Sequence, residues 1–370
     1  MTLPAIAFQR KPLHPAFVCL VASAILVAWV IIQAGGDPLS LARLGTRYSQ
    51  GDPNGTEGYD GQFIYYIARN PDPVEVLPYL DVPAYRYQRI LLPLLARLLS
   101  LGKVEVIPWM LAGLGIFAQA AGTWAVAEIL IGWGVSGWYA LVYALWVGFI
   151  LAVRLDLPEP LAYSLVAGAL LSQERGKPWL AWPLLGLALL AKEVIALFVV
   201  AALLSSLKKK DWKNASGLLL VSILPYIVFQ LWLWKVFGQP GIGSGGAMAT
   251  PFELIPLMGL LRIGYFSPVY LLAMLVVFLP AVIVPALWGV WMGIRKWITG
   301  DASVVVLALI MNALAIFFLP FSTYRETGGL LRFACGLVMC VILFTSRFHM
   351  KKALNYSFLW LVLNVFLLKS

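Results

Sequence analysis

Side chains that usually carry chemistry are scarce in this sequence. The 370 residues include two histidines, His14 and His349, and three cysteines, Cys19, Cys335 and Cys340. Each cysteine sits inside an apolar run without metal-ligand spacing, so the three read as small core hydrophobes. The histidines fall near helix ends on the basic side of the chain and read as surface residues. There is no Walker loop, no HExxH and no Cys/His cluster, which removes nucleotide hydrolysis and zinc hydrolysis from consideration.

Charge is the second scarcity. Charged residues make up 12% and hydrophobic ones 61%, with a mean hydropathy of +0.87. A soluble domain carries about 25% charged residues, so a soluble fold is excluded. The apolar residues form long runs, as a bilayer solvent requires. The formal net charge of +10 therefore does not point to nucleic acid. In a membrane protein, Lys and Arg collect in cytoplasmic loops beside anionic headgroups.

The expected architecture is all-α, a single polytopic membrane domain over residues 1–370. Arg10-Lys11 before the first apolar run, 15–33, sets a cytoplasmic N-terminus. Residues 34–105 form a long polar outer loop. Within it, 86–102 is too interrupted by Arg89, Pro93 and Arg97 to cross, and it reads as an interfacial helix. Spans follow at 106–131, 135–153 and 161–172. The run 179–207 is apolar except for Lys192-Glu193 at its middle. As one helix it would reach about 43 Å, against a hydrocarbon core of about 30 Å. Two half-helices meeting at Lys192-Glu193 instead keep Lys208-Lys209-Lys210 inside. Further spans fall at 218–236, 268–294, 304–320, 330–345 and 354–368, about eleven membrane segments in all. A second outer loop, 237–267, holds the glycine-rich stretch 238–250 and an interfacial helix over 251–263.

This topology sends nearly all acidic residues outward. Of 17 acids, all but Glu128, Glu174, Asp211 and Asp301 fall on the outer face. Acids do not set orientation, so the asymmetry is independent of the topology and suggests an outer polar site. Charges at membrane depth are costly and mark functional candidates: Asp156 and Glu159, Lys192 and Glu193, and Arg325, Glu326 and Arg332. In the first loop, a glycine-rich turn leads through Glu57, Tyr59, Asp60 and Gln62 into an aromatic helix. Two roles are open to Asp60: a helix cap, or a general base taking a proton from a hydroxyl nucleophile. Arg86, Arg89, Lys192, Arg325 and Arg332 would hold a phosphate leaving group.

These residues carry a resemblance. The first helix, outer loop with an early Asp, interfacial helix, Leu155-Asp-Leu-Pro-Glu turn and Leu190-Ala-Lys-Glu break resemble the GT-C glycosyltransferase superfamily. More narrowly, Gly58-Tyr-Asp-Gly-Gln-Phe, Tyr85-Arg-Tyr-Gln-Arg-Ile and Arg325-Glu-Thr-Gly-Gly-Leu-Leu-Arg look like bacterial membrane proteins of cell-surface glycopolymer formation. These are distantly similar to GPI mannosyltransferases. The resemblance implies inverting sugar transfer from a polyprenyl-phosphate donor to a glycan, lipid or protein acceptor. It places the active site on the extracytoplasmic face of a bacterial inner membrane. It implies Asp60 as base, with Asp156 and Glu159 as catalytic partners. Glu57, Tyr59, Gln62, Gln88 and the charged residues above fall to substrate binding. Some relatives bind a divalent cation such as Mg or Mn; the Tyr-Asp-Gly motif here lacks their Asp-x-Asp pair. A transporter or flippase of a lipid-linked glycan is the alternative, because broken helices with intramembrane charge also serve carriers.

Overall fold

The structure, a computed structural model, describes residues 13–369, and no strand occurs among them. Five helical stretches are long and apolar enough to cross a membrane: Pro15–Gln33, Val104–Gly132, Trp212–Phe237, Pro268–Ile298 and Thr327–Arg347. A sixth arises if Gly137–Ala144 and Val147–Arg154 are one span bent by 57°. The chain is therefore a membrane-embedded, multi-pass helical protein. The other apolar helices, among them Pro178–Ala191 and Val304–Phe317, are shorter. The expected total of about eleven segments counts such helices as crossings.

Proline shapes the long helices. The π-helical stretches Leu218–Ile223 and Leu279–Ile283 lie beside Pro225 and within reach of Pro280 and Pro285. A proline has no N–H to give the ladder, and the turn around it widens. Thr327–Arg347 is the central element, with 78% of its apolar window buried, against 28% for Pro15–Gln33 at the edge.

The run 179–207 is broken where its charges fall. Pro178–Ala191 ends at Lys192, whose backbone is extended (φ −158°, ψ 127°), and Glu193–Ile195 forms a 3₁₀ turn before Ala196–Lys208. Each half is only about 20 Å long at 1.5 Å per residue. Neither could cross a hydrocarbon core alone, and the extended residue aims both charged side chains at protein rather than lipid.

Three elements differ from their sequence-based expectation. The straight span over 135–153 is instead bent at Leu145-Trp146. Trp146 Nε1 donates to Leu331 O at 2.9 Å, and Gly148 lets the next helix lie against Leu331, whose carbonyl a side chain there would strike. The interfacial helix over 251–263 starts only at Met258. Pro256 disfavours a helical residue before it, and Leu257 is left-handed (φ 62°). The stretch 86–102 is two short helices, Pro83–Tyr87 and Leu91–Leu99. The second buries Leu92, Pro93 and Ala96 on one side and exposes Leu94 and Leu98 on the other.

The first loop is fastened before it reaches its helix, Gly61–Arg69. Gly45 N donates to Gln62 Oε1 at 3.0 Å, Gln62 Nε2 donates to Glu57 O at 2.8 Å, and Tyr59 N donates to Arg43 O at 2.9 Å. Gly61 then sits so close to the Leu155 carbonyl and Ala42 that no side chain fits. The start of this helix is thereby fixed against the turn after Val147–Arg154.

Candidate functional site

A cavity of about 530 Å³ lies where several chain segments meet. The first loop brings Tyr59 and Asp60, the short helix after it brings Arg86 and Arg89, the helix break brings Lys192 and Glu193, and the central helix brings Arg332. Glu159 enters from the start of Glu159–Glu174, and Arg325 and Glu326 from the turn before the central helix.

Asp60 is the hub. It occupies the N-cap position of Gly61–Arg69 with a helical backbone, and its side chain makes no capping bond. The carboxylate instead accepts from Arg86 Nη1 at 2.8 Å and from Arg332 Nη1 and Nη2 at 3.1 Å each. Of its two open roles, capping is therefore not the one it fills. About a quarter of its side chain (26%) stays exposed to the cavity. Burial disfavours its ionised form, but the guanidiniums of Arg86 and Arg332 outweigh that and hold the carboxyl well below the usual carboxylate range.

Asp81, which sequence reasoning passed over, fixes Arg86. Arg86 Nε and Nη2 donate to its two oxygens at 2.7 and 2.8 Å in a fork-to-fork pair. Ala247 N, from the second outer loop, donates to Asp81 Oδ2 at 3.1 Å. Asp81 is likewise held below its ordinary value: burial opposes ionisation and the bond from Arg86 more than offsets it. Arg86 also lies over the Phe63 ring at 4.2 Å. The five-residue spacing of Asp81 and Arg86 was the available signal, hidden among the loop's many acids.

Two further pairs line the wall. Arg89 grips Glu193 with Nε at 2.9 Å and Nη2 at 2.6 Å, and Nη2 also donates to Tyr85 Oη at 2.6 Å. Lys192 Nζ donates to Glu159 Oε1 at 2.7 Å; the other Glu159 oxygen is buried without a partner. Arg332 bridges the groups, 3.7 Å from both Glu159 and Glu326 and 5.3 Å above the Tyr59 ring. Tyr59 Oη donates to Glu326 Oε1 at 2.7 Å. Arg325 differs from the other cations: it is exposed, lies over Phe321 at 5.7 Å, and faces no carboxylate among the described residues.

The remaining candidates fall elsewhere or serve the frame. Gln62 touches the cavity wall, but its amide is spent fastening the loop. Glu57 pairs with Arg47 at the exposed rim. Gln88 is buried behind the cavity, where Gln230 Nε2 donates to its Oε1 at 3.4 Å. Asp156 does not line the cavity. It is 3% exposed between Leu155 and Leu157, with no partner for either oxygen among the described residues. Its backbone is left-handed (φ 51°), a conformation that ends helices and that Asp tolerates better than most residues. The structure thus places Asp156 outside the cavity, at a helix-ending turn.

No group of three or more His, Cys, Asp or Glu side chains able to hold a metal occurs among the described residues. The carboxylates that ring the cavity face guanidinium or ammonium groups instead of converging, so this donor set does not fit Mg or Mn.

A second groove, of about 430 Å³ and mainly apolar, is bounded by the helices on either side of the Lys192-Glu193 break. It lies between the two half-helices and Trp212–Phe237 and is lined by Leu189, Ala196, Val199, Tyr226, Leu231 and Trp234 among others. Gln230 at its edge accepts from Gly241 N and Ile242 N at 2.9 and 3.0 Å, tying the second outer loop over its end. Comparison with protein-family models, curated proteins and solved structures gives no match for the chain.

Proposed function

We propose that the chain transfers a sugar from a polyprenyl-phosphate donor to an acceptor hydroxyl at the extracytoplasmic face of a bacterial inner membrane. The observation that carries this reading is the adjacency of two unlike compartments. A polar cavity centred on Asp60 takes in the Lys192-Glu193 break, and an apolar-lined groove takes in Leu189 and Ala196 on either side of it; a lipid-linked sugar has these two halves, a charged head and a long hydrocarbon chain. The chain would lie in the groove and the phosphate would face Arg325, the cavity cation that pairs with no carboxylate among the described residues.

In the proposed reaction the acceptor oxygen attacks the anomeric carbon and the bond from that carbon to the phosphate oxygen breaks. Its electron pair leaves with the polyprenyl phosphate, and the acceptor proton passes to Asp60. Attack from the face opposite the leaving group inverts the anomeric centre. Held by two guanidiniums, Asp60 is a weak base. A phosphate drawing Arg86 or Arg332 toward itself would relieve that hold and raise the proton affinity of Asp60 when the acceptor is bound. Glu159 and Glu193 act in this scheme as counter-charges that position Arg332, Lys192 and Arg89. Catalytic contact is assigned to Asp60 alone.

The same reading takes the short helices as membrane segments packed within the protein, giving about eleven segments, with the Lys192-Glu193 break toward the outer surface and the lysines after it in the cytoplasm. Incubating the reconstituted protein with a synthetic polyprenyl-phosphate sugar and candidate acceptors tests it. A new glycosidic bond of inverted configuration, seen by NMR, supports transfer. Movement of the labelled donor between leaflets with no new bond would favour the flippase reading instead.

A further inference from the structure

The two guanidiniums that hold Asp60 are themselves held very differently. Arg86 is tightly bound. Its Nε and Nη2 donate to the two oxygens of Asp81, and Nη1 is left for Asp60. The Phe63 ring covers it at 4.2 Å. Gly246 lies so near that a Cβ there would stand 2.9 Å from Arg86 Nη2 and 3.3 Å from Asp81 Oδ2.

Asp81 is anchored in turn. Its Oδ1 also accepts from Val82 N at 2.7 Å and its Oδ2 from Ala247 N at 3.1 Å. Each oxygen therefore has one guanidinium bond and one backbone bond. The loop that carries Ala247 is fastened at both ends. Gly241 N donates to Gln230 Oε1 at 2.9 Å, and the backbone N–H groups of Thr250 and Ser322 each donate to the other's hydroxyl, at 3.0 and 3.1 Å. Turning Arg86 away would break two charge-assisted bonds at once.

Arg332 has no such anchor. Both of its Nη atoms go to a single oxygen of Asp60, at 3.1 Å each. Glu159 and Glu326 stand off at 3.7 Å, and its Nε is buried with no hydrogen-bond partner among the described residues. No carboxylate meets its fork with two oxygens, the arrangement that Asp81 gives Arg86.

We propose that Asp81 is a positioning residue for the transfer reaction: it keeps Arg86 on Asp60, so that Arg332 is the guanidinium free to turn from Asp60 to the donor phosphate. The proposal rests on the sugar-transfer reading. When the donor binds, Asp60 then loses one guanidinium and keeps the other. Losing one raises its proton affinity; keeping the other holds the carboxylate ionised and in place for the acceptor. Without Asp81, Arg86 would follow the phosphate as well. A largely enclosed carboxylate stripped of both cations takes a proton from solvent and is no longer a base.

The test measures binding of a synthetic polyprenyl monophosphate, and sugar transfer, on the same full-length proteins in nanodiscs. Arg332→Gln should weaken monophosphate binding at least ~10-fold and Arg86→Gln less than ~3-fold. Asp81→Asn frees Arg86 and should move the two readouts in opposite directions. Binding is expected to tighten ~3- to 10-fold, while kcat falls ~10-fold with an acid limb at higher pH than in wild type. Loss of a purely structural contact would lower both. In Asp81→Asn with Arg86→Gln the gain in binding should vanish, because Asp81 acts through Arg86. Should Asp81→Asn alone not fold, this double variant leaves no buried guanidinium without its carboxylate and should match Arg86→Gln in binding and in kcat; a further loss would overturn the proposal. Equal losses of binding in Arg86→Gln and Arg332→Gln, or parallel falls of binding and kcat in Asp81→Asn, would also overturn it. The expected binding pattern with no glycosidic bond formed by wild type would keep the division between the two arginines and overturn sugar transfer instead. A wild-type protein that binds no polyprenyl monophosphate would overturn both.

Discussion

Asp60 and Asp156 begin alike and end in opposite surroundings. Both are acids beside a glycine- or proline-marked turn at a helix junction, and the two junctions touch, because Gly61 abuts the Leu155 carbonyl. Asp60 faces two guanidiniums in an open cavity. Asp156, a few residues of packing away, faces apolar side chains and holds a left-handed turn. The difference is made by partners remote in sequence: Arg332 reaches Asp60 across 272 positions, and nothing of the kind reaches Asp156 among the described residues. Sequence position identifies a costly charge; only the fold decides whether it is compensated.

Four changes would break or sharpen that contrast. The largest effect is expected for Arg332→Gln, which removes the cation shared by Asp60, Glu159 and Glu326. Transfer should fall by at least ~10², the scale of losing one preorganised charge partner. Thermal stability should fall as well, because a nearly buried carboxylate is left short of its counter-charge.

Arg89→Gln comes next. Glu193 would lose both of its guanidinium bonds, and the wall between cavity and groove would loosen. The expectation is a rise in KM for the lipid-linked donor of roughly ten-fold, with a smaller change in kcat, since no reacting atom is touched. A fall in kcat alone would move Arg89 from the wall into the reacting centre.

The pH dependence separates the two aspartates by titration. The carboxyl of Asp60 is depressed in the folded state, so the stability it contributes is present above the unfolded value of about 4. That contribution is lost only as pH falls through the lower folded value. For the free enzyme, kcat/KM should show no acid limb from Asp60 above about pH 4. In Arg86→Gln one of the two guanidiniums is gone and the limb should move up in pH. An unchanged profile in that variant would mean that Arg86 does not set the ionisation of Asp60.

The smallest effect is expected for Asp156→Asn, which keeps the shape and the tolerance for a left-handed backbone. Transfer should stay within about three-fold of wild type, and the melting temperature should hold or rise, because a carboxyl with no partner is costly to bury. A large loss of transfer without loss of fold would return Asp156 to the catalytic set.

Much of the frame was legible in the sequence for simple reasons. The break at Lys192-Glu193 could be read because charge in the middle of an overlong apolar run has few ways to be accommodated, and the two half-helices form as expected. That 86–102 forms no long apolar helix was legible from its interruptions. The bend at Leu145-Trp146 was not, because it depends on Trp146 reaching the Leu331 carbonyl, a tertiary bond that hydropathy does not encode. The charged residues of the site were found as a set, but their pairing was not. Arg89 with Glu193, Lys192 with Glu159 and Arg86 with Asp81 each cancel a cation that sequence reasoning had reserved for phosphate. Arg325 is left as the cavity cation without a carboxylate among the described residues, a distinction that required coordinates.

The most direct test of the central claim is the rate of sugar transfer by Asp60→Asn beside wild type. Both proteins would be reconstituted in the same lipid, given the same polyprenyl-phosphate donor, and checked for equal melting temperature and helix content. Removing a general base should lower kcat by about 10²–10⁴ while the protein remains folded. Transfer at the wild-type rate by the folded variant would contradict Asp60 as the base, and with it the site built around that carboxylate.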